Sequence, residues 1–343
     1  MRTVPKSDLT MRLATLRNGT PDGALAIVSS DGRRYVSAAA IAPTLQAALD
    51  NWKRVEGELR RRAVEVESGD GVPLDDRALA APLPRAWQWL DGSAFDAHGR
   101  LMTRLFGLQA KQSDRPLMYQ GLSHQFLGPY DDVPLPRETD EIDFEGEFGV
   151  VTDAVPMGVS PSQAAAHIAL VVIVNDWSLR AIAREEMRTG FGWVQAKPAC
   201  SLGPYAITPD ALGANWDRHR AQLRLRVEVN GKLFGEPHGG EMSVGFDELV
   251  AHAAATRTLC AGTIVGSGTV SNEDYLTSGS SCIAERRAIE TLDNGAATTP
   301  YLRFGARVRI SAIDQAGRSP LGAIDQRIVT SRPGGVGAAD GTV

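Results

Sequence analysis

The stretch Ile142–Val150, reading IDFEGEFGV, admits few folds. Ile142, Phe144, Gly146, Phe148 and Val150 alternate with Asp143, Glu145, Glu147 and Gly149. A β-strand has a side-chain period of two, so the pattern sets three carboxylates on one face and the apolar set on the other. Neighbouring carboxylates repel unless water or a cation screens them. The apolar run Ile168–Val174 ends in Asn175-Asp176, which puts a further carboxylate at the end of a buried strand. Lys197 stands just before a proline. Acids from two strands with a lysine nearby point to a divalent-cation site with an electrostatic helper. A solvated strand face is the alternative for Glu145 and Glu147, and Asp143 on the same face fits simple solvation.

Other chemistries are disfavoured by composition. With 343 residues the chain forms one large domain or two smaller ones. A net charge of -5, with no basic stripe carrying aromatics, argues against nucleic acid as a partner. Arg60–Arg62 reads as the end of a helix, where cations oppose the macrodipole. Cys200, Cys260 and Cys282 lack CxxC or CxxH spacing, so neither a disulfide framework nor structural zinc is expected. The opening MRTVPKSDLT has no apolar core of the kind a secretory signal needs, and Ile168–Val174 is far shorter than the roughly 20 residues of a membrane helix. A cytoplasmic protein without a membrane partner is the expectation. Abundant glycine (35) and proline (19) favour turns between many short strands.

Along the chain, strands are expected at Thr10–Leu16, Ala24–Ser29 and Arg33–Ser37, the last two joined by a hairpin through Asp31-Gly32. From Pro43 the period changes: Leu45, Leu49, Trp52, Val55 and Leu59 share a helical face that ends before Gly69-Asp70-Gly71. A linker near Gly69–Arg77 then separates a small β-rich domain, 1–75, from a larger domain, 76–330. Residues 99–117 read as a mobile loop. Ser160 caps a short helix begun by Pro161. Leu223–Val229 and Lys232–Phe234 form a hairpin through Asn230-Gly231, and Phe246–Thr256 reads as a helix. Gly262–Asn272 is a glycine-broken strand and turn. Ser281–Ile289 and Leu302–Ile310 read as strands, and the Gly-rich 331–343 as a disordered tail. The fold class is mixed α+β, mostly β.

Asp91, Glu145, Glu147 and Asp176 are the candidate metal ligands; an all-oxygen set suits Mg²⁺, Mn²⁺ or Ca²⁺ better than zinc. His98 lies seven residues beyond Asp91 and is either a general base or a structural histidine. A base needs an orienting carboxylate, for which Glu285 is a candidate that sequence alone cannot bring to it. Lys197 either stabilises an oxyanion or pairs with an acid. Thr269 and Tyr119 bond either a substrate or the backbone. No GxSxG elbow is present.

Taken together, DFEGEFGVV, NDWSLR, the lysine before Pro198, and GSGTV followed by a glutamate on a later strand resemble the fumarylacetoacetate hydrolase family over roughly 80–330. The N-terminal segment resembles the small β domain that precedes the catalytic domain in longer members, which marks 76–330 as the catalytic domain. The resemblance implies a β-sandwich roll. It implies a divalent metal, Mg²⁺ or alternatively Ca²⁺ or Mn²⁺, held by Asp91, Glu145, Glu147 and Asp176. It also implies a catalytic His98 partnered by Glu285, a catalytic Lys197, and substrate contacts from Tyr119, Thr269 and Arg104. The implied reaction is hydrolysis of a C–C bond in a small 1,3-diketo acid, fumarylacetoacetate first, in the degradation of tyrosine and other aromatics. Acylpyruvate hydrolysis, 2-oxo acid hydration or decarboxylation, sugar-acid dehydration and a metal-stabilised binding protein are the alternatives. A homodimer is expected by analogy. Two positions depart from the animal hydrolase: Ala183 replaces a glutamine and Gly107 an arginine, with Arg104 the nearest substitute. Both contact substrate in the family, so the substrate's tail is where a difference is expected.

Overall fold

A computed structural model describes residues 11–106 and 115–331. The chain begins with β1 (Arg12–Leu16), β2 (Ala24–Val28) and β3 (Arg34–Ser37), then α1 (Leu45–Leu49), α2 (Trp52–Glu67) and β4 (Val72–Pro73). It continues through β5 (Trp89–Ser93), α3 (Asp96–Phe106), β6 (Leu117–Gln120), β7 (Val133–Leu135), β8 (Ile142–Asp143) and β9 (Gly146–Thr152). Next come α4 (Pro161–Ala164), β10 (Ile168–Asn175), β11 (Ser178–Leu179), α5 (Arg180–Thr189), β12 (Ser201–Leu202) and β13 (Ala206–Ile207). The short pair β14 (Trp216–Asp217) and β15 (Arg220–Ala221) leads to β16 (Arg224–Val229), β17 (Lys232–Gly235), α6 (Phe246–Ala253) and β18 (Ile264–Gly266). Finally α7 (Tyr275–Ser278), α8 (Ile283–Asn294), β19 (Arg307–Ile313) and β20 (Ala323–Thr330) follow.

Two sheets organise these elements. The larger runs β4-β3-β2-β1-β13-β10-β9-β18-β5-β6, with β12 added beside β10. The smaller runs β17-β16-β19-β20-β7. Strand periodicity sorts the core. In β10, Val171 and Ile173 enter a cluster shared with Leu225, Val227 and Ile310 of the smaller sheet. Leu170, Val172 and Val174 enter a second cluster with Leu49, Trp52, Val55 and Leu59 of the N-terminal helices. A strand buried on both faces reads as an unbroken apolar run, as Ile168–Val174 does.

The N-terminal strands join the larger sheet directly: Arg12 and Leu13 of β1 pair with Ile207 and Ala206 of β13. The expected linker is not a free connection, because β4 within it pairs with Arg34 and Tyr35 of β3. The helix expected from Pro43 is two helices, broken at Asp50-Asn51, although its apolar face is buried as the spacing requires. Arg60 lies well inside α2 and pairs with Glu56 and Asp210, so ion pairs rather than the helix end account for it.

Three other expectations need correcting. Residues 99–106 are helix, not loop; 107–114, with Gly107, lie outside the described residues, as does 332–343 of the expected tail. The expected strand Ser281–Ile289 is the start of α8. Cys282 caps it, and the donors of Ile283 and Ala284, which no helix satisfies internally, go to the carboxylate of Asp143 at 2.8 and 2.9 Å. The glutamate and arginines there are good helix formers, and Ile283, Ala288 and Ile289 bury one helical face. Asp143 itself is fully buried rather than solvated.

The Asn230-Gly231 hairpin forms as expected, with both residues at positive φ (52° and 75°). Ser160 and Gln163 form a reciprocal capping box at α4.

Candidate active site

β5, β9 and β18 lie side by side, and their alternation aims the acids. Asp91 lies two residues from Trp89 and Glu147 four from Val151, so both share the sheet face that buries Trp89 and Val151. Gly266 pairs with Asp91 on one side and Gly149 on the other. A side chain there would meet the Asp91 carboxylate at 2.3 Å. Two residues on, Gly268 adopts φ +75° and donates its N–H to Asp91 Oδ1 at 3.0 Å. The Gly-Ser-Gly turn therefore exists to let backbone approach this acid. Thr269 follows, buried, with its hydroxyl making no hydrogen bond among the described residues.

Asp91, Glu145, Glu147 and Asp176 are all buried, and one oxygen from each lies within 4.8 Å of the others. The solvated-face alternative for Glu145 and Glu147 is thereby overturned. Lys197 Nζ donates to Glu145 Oε2 at 2.8 Å and to Asp176 Oδ2 at 2.5 Å. Tyr119 donates its hydroxyl to Asp176 Oδ2 at 2.6 Å, and Cys200 its thiol to Asp176 Oδ1 at 2.9 Å. Arg180 bridges Asp143 Oδ2 (2.8 Å) and Glu145 Oε1 (2.5 Å). Among the described residues no N–H or hydroxyl donates to either oxygen of Glu147, whose carboxyl lies against that of Asp91 closely enough to share a proton with it.

The charges follow from these contacts. Burial pushes the Glu145 carboxyl up, but Lys197 and Arg180 outweigh it and hold the group well below the usual carboxylate range. Burial, then Asp176, drives Asp91 well above that range; burial, then Asp91 and Asp176, does the same to Glu147. Burial opposes the Lys197 charge, yet Asp176 and Glu145 raise its pKa overall. With all four acids ionised against one ammonium, and Arg180 matched by Asp143, three negative charges would share a buried space. A divalent cation is the counter-charge such an ionised cluster requires, and the Glu147 oxygens, which receive no N–H or hydroxyl donor among the described residues, fit that role.

His98 sits in the first turns of α3, and its Nδ1 lies 2.7 Å from Glu285 Oε2 at the start of α8. Glu285 is fully buried while the His98 side chain is 21% exposed. The imidazole is close enough to Glu145 to favour that carboxylate's charged form. Tertiary folding thus joins residues 187 apart in sequence. Arg104 is exposed on α3, with no hydrogen bond or ion pair among the described residues, so nothing ties it to the cluster. Ala183 is buried in α5. Sequence reasoning missed Arg180, Cys200 and Trp193. Arg180 closes the NDWSLR motif, four residues after Asp176; the signal for Cys200 and Trp193 is position alone, three residues after and four before Lys197.

The family model described as "Fumarylacetoacetate (FAA) hydrolase C-terminal" matches residues 88–329. The chain belongs to the fumarylacetoacetate hydrolase family. The model "Fumarylacetoacetase N-terminal domain 2" matches residues 11–85. Among relatives, the mitochondrial oxaloacetate tautomerase of Rattus norvegicus is 29% identical over 157 residues, 45% of this chain and 48% of that one. The 2,4-didehydro-3-deoxy-L-rhamnonate hydrolase of Sphingomonas sp. is also 29% identical over 157 residues, 45% of this chain and 52% of that one. The chain therefore spans about half the length of the curated relatives it matches.

Solved structures share the fold. A probable 2-hydroxyhepta-2,4-diene-1,7-dioate isomerase from Mycobacterium abscessus superposes with a TM-score of 0.64 at 20% identity, covering 94% of this chain and 100% of that one. A maleylpyruvate hydrolase from Sphingobium sp. SYK-6, in complex with manganese(II) and pyruvate, gives 0.63 at 17% identity, with the same coverage. The fumarylacetoacetate hydrolase fold, with its small N-terminal β domain, is thus the fold of this chain. Among the described residues, no helix is long and apolar enough to cross a membrane.

Proposed function

We propose that this protein is a divalent-metal-dependent hydrolase of a C–C bond in a small diketo acid, with fumarylacetoacetate and acylpyruvates the first substrates to test. The observation that carries the reading is the His98–Glu285 pair, 2.7 Å apart beside the acid cluster. A pure metal-binding protein has no use for an imidazole backed by a fully buried carboxylate at the rim of such a cluster. Glu145, Glu147, Asp91 and Asp176 would hold the cation. Mg²⁺, or the Mn²⁺ present in the Sphingobium hydrolase, suits these oxygen donors. When bound, the ion supplies Lewis-acid polarisation of the substrate's oxo groups.

The remaining steps belong to the chain's own residues. With Nδ1–H donated to Glu285, His98 Nε2 offers its lone pair and takes a proton from water as the water oxygen bonds to the carbonyl carbon. Glu285 offsets the imidazolium charge. Lys197 offsets the charge developing on the carbonyl oxygen. The C–C bond then breaks, its electron pair passing to the leaving carbon, and His98 returns the proton there. Tyr119, bonded to Asp176, and Thr269, next to the Gly268 that bonds Asp91, are the candidate hydroxyls for orientation; Arg104, exposed on α3, is the candidate for a distal carboxylate.

Incubation of the purified protein with Mg²⁺ or Mn²⁺ and each diketone tests this. Loss of the diketone absorbance with two acid products supports it. A second reading has support from the oxaloacetate tautomerase relative: His98 would move a proton between carbon and oxygen without adding water. Oxaloacetate interconversion with no diketone cleavage would decide for it. A homodimer is part of the same proposal, and sedimentation equilibrium reads it.

A further inference from the structure

Between α5 and Lys197 runs a short loop, residues 190–196, whose inward-facing side chains are Trp193 and the small Ala196. Phe191 and Val194 are 99% and 80% exposed, so burial of its large aliphatic and phenyl side chains does not hold the loop. It is held by Glu186 of α5, whose carboxylate accepts the N–H groups of Val194 (3.0 Å), Gln195 (2.9 Å) and Ala196 (3.1 Å). Anchored there, the Trp193 ring meets Tyr119 edge-on, with centroids 4.9 Å apart at 75°. Lys197 Nζ lies 5.4 Å from each of the two ring centroids. The same Nζ is bonded to Glu145 and Asp176. One side chain therefore separates Trp193 from the acid cluster.

The indole Nε1 of Trp193 is buried and has no hydrogen-bond partner among the described residues. Buried donors without acceptors are rare in folded proteins and call for an explanation. Trp89 Nε1 is likewise unpartnered, but that residue has no exposed surface; Trp193 is partly exposed and lies against Tyr119 and Lys197, the two side chains that donate to Asp176 Oδ2. Two of the three ammonium N–H groups of Lys197 are taken by Glu145 and Asp176. The remaining one and the indole N–H are unassigned donors next to the acids.

We propose that the Trp193 indole N–H is a substrate-binding donor, donating to a carboxylate or carbonyl oxygen of the bound 2-oxo acid beside Lys197 and Tyr119. This rests on the reading of the site as one for such acids. The aromatic faces of Trp193 and Tyr119 flank the ligand, and the N–H sets its orientation, which makes Trp193 a determinant of which acids bind.

The test uses full-length protein loaded with Mn²⁺ and pyruvate as the probe, titrated calorimetrically. Trp193→Phe keeps an aromatic ring and removes the donor; Trp193→His restores a ring N–H. Pyruvate is expected to bind about tenfold more weakly to Trp193→Phe, the scale of one lost hydrogen bond, with partial recovery in Trp193→His. Mn²⁺ affinity, read from the electron paramagnetic resonance of free ion, is expected to stay at the wild-type value in both, and KM to rise with little change in kcat. Equal pyruvate affinity in wild type and Trp193→Phe would overturn this assignment alone. Failure of Mn²⁺-loaded wild type to bind pyruvate would overturn the 2-oxo acid reading, and this inference with it.

Discussion

Glu147 shows most directly what the site demands. Its two oxygens are buried against the Asp91 carboxyl and receive no N–H or hydroxyl donor among the described residues, while its neighbours Glu145 and Asp176 are satisfied by Lys197, Arg180, Tyr119 and Cys200. Asp91 and Glu147 have folded pKa values raised above the unfolded carboxylate range of about 4. In that direction the metal-free folded state holds protons that the unfolded chain has lost. Metal-free stability is therefore full below the unfolded pKa and falls as pH rises toward the raised values. Chelator-treated protein should melt at a lower temperature at pH 8 than at pH 5.5 in thermal scans; an opposite slope would contradict the assignment. Metal must displace those protons, so titrations of Mn²⁺ in two buffers of different ionisation enthalpy should show proton release. For His98, replacement by Ala should lower kcat by roughly 10²–10⁴. Calorimetric metal stoichiometry should stay at the wild-type value, because the imidazole lies outside the ligand set. Unchanged turnover would refute the general-base role.

At the scale of elements, the centre of coupling is Asp143. Its carboxylate accepts from the first N–H groups of α8 and from Arg180, which in turn reaches Glu145. The helix that presents Glu285 to His98 is thus pinned to the strand pair that presents the acids. Asp143→Ala removes one partner of a buried ion pair and should destabilise by about 3–5 kcal/mol, measured by urea unfolding. It should also lower both metal affinity and kcat, because Arg180 and α8 are released together. A variant that loses stability alone would show that the two halves of the site are independent.

For the whole molecule, the decisive feature is the continuous larger sheet. β1 pairs with β13, and the helices α1 and α2 cover Val151, Leu170, Val172 and Val174 on the sheet face that carries Asp91 and Glu147. Residues 76–343 expressed without the N-terminal segment should therefore expose this apolar face and fail to give soluble, cooperatively folding protein. A soluble fragment with native circular dichroism and metal binding would contradict that. Because the four acids meet only in the folded chain, a cation held by them should stabilise the fold by about 2.7 kcal/mol at one hundred times its Kd. The matching rise in Tm should vanish on adding chelator.

Local period, turn chemistry and spacing were legible without coordinates. The acidic alternation of 142–150, the buried run 168–174, the Asn230-Gly231 turn and the Ser160 cap each follow from rules acting over a few residues. The candidate acids stood out for the same reason, whereas His98 was one histidine of six until the family resemblance gave it a role. What escaped was settled by partners far away in sequence. Ser281–Ile289 looks like a strand until Asp143 caps it as a helix. Asp143 looks solvated until Arg180 and α8 bury it, and Trp193 looks like an ordinary loop residue until Glu186 holds it against Tyr119. Sequence alone determined which side chains are suited to hold a cation and move a proton. Only the tertiary structure decided that they meet, because the hydrogen bonds and charge pairs that join them depend on distance in space and not along the chain.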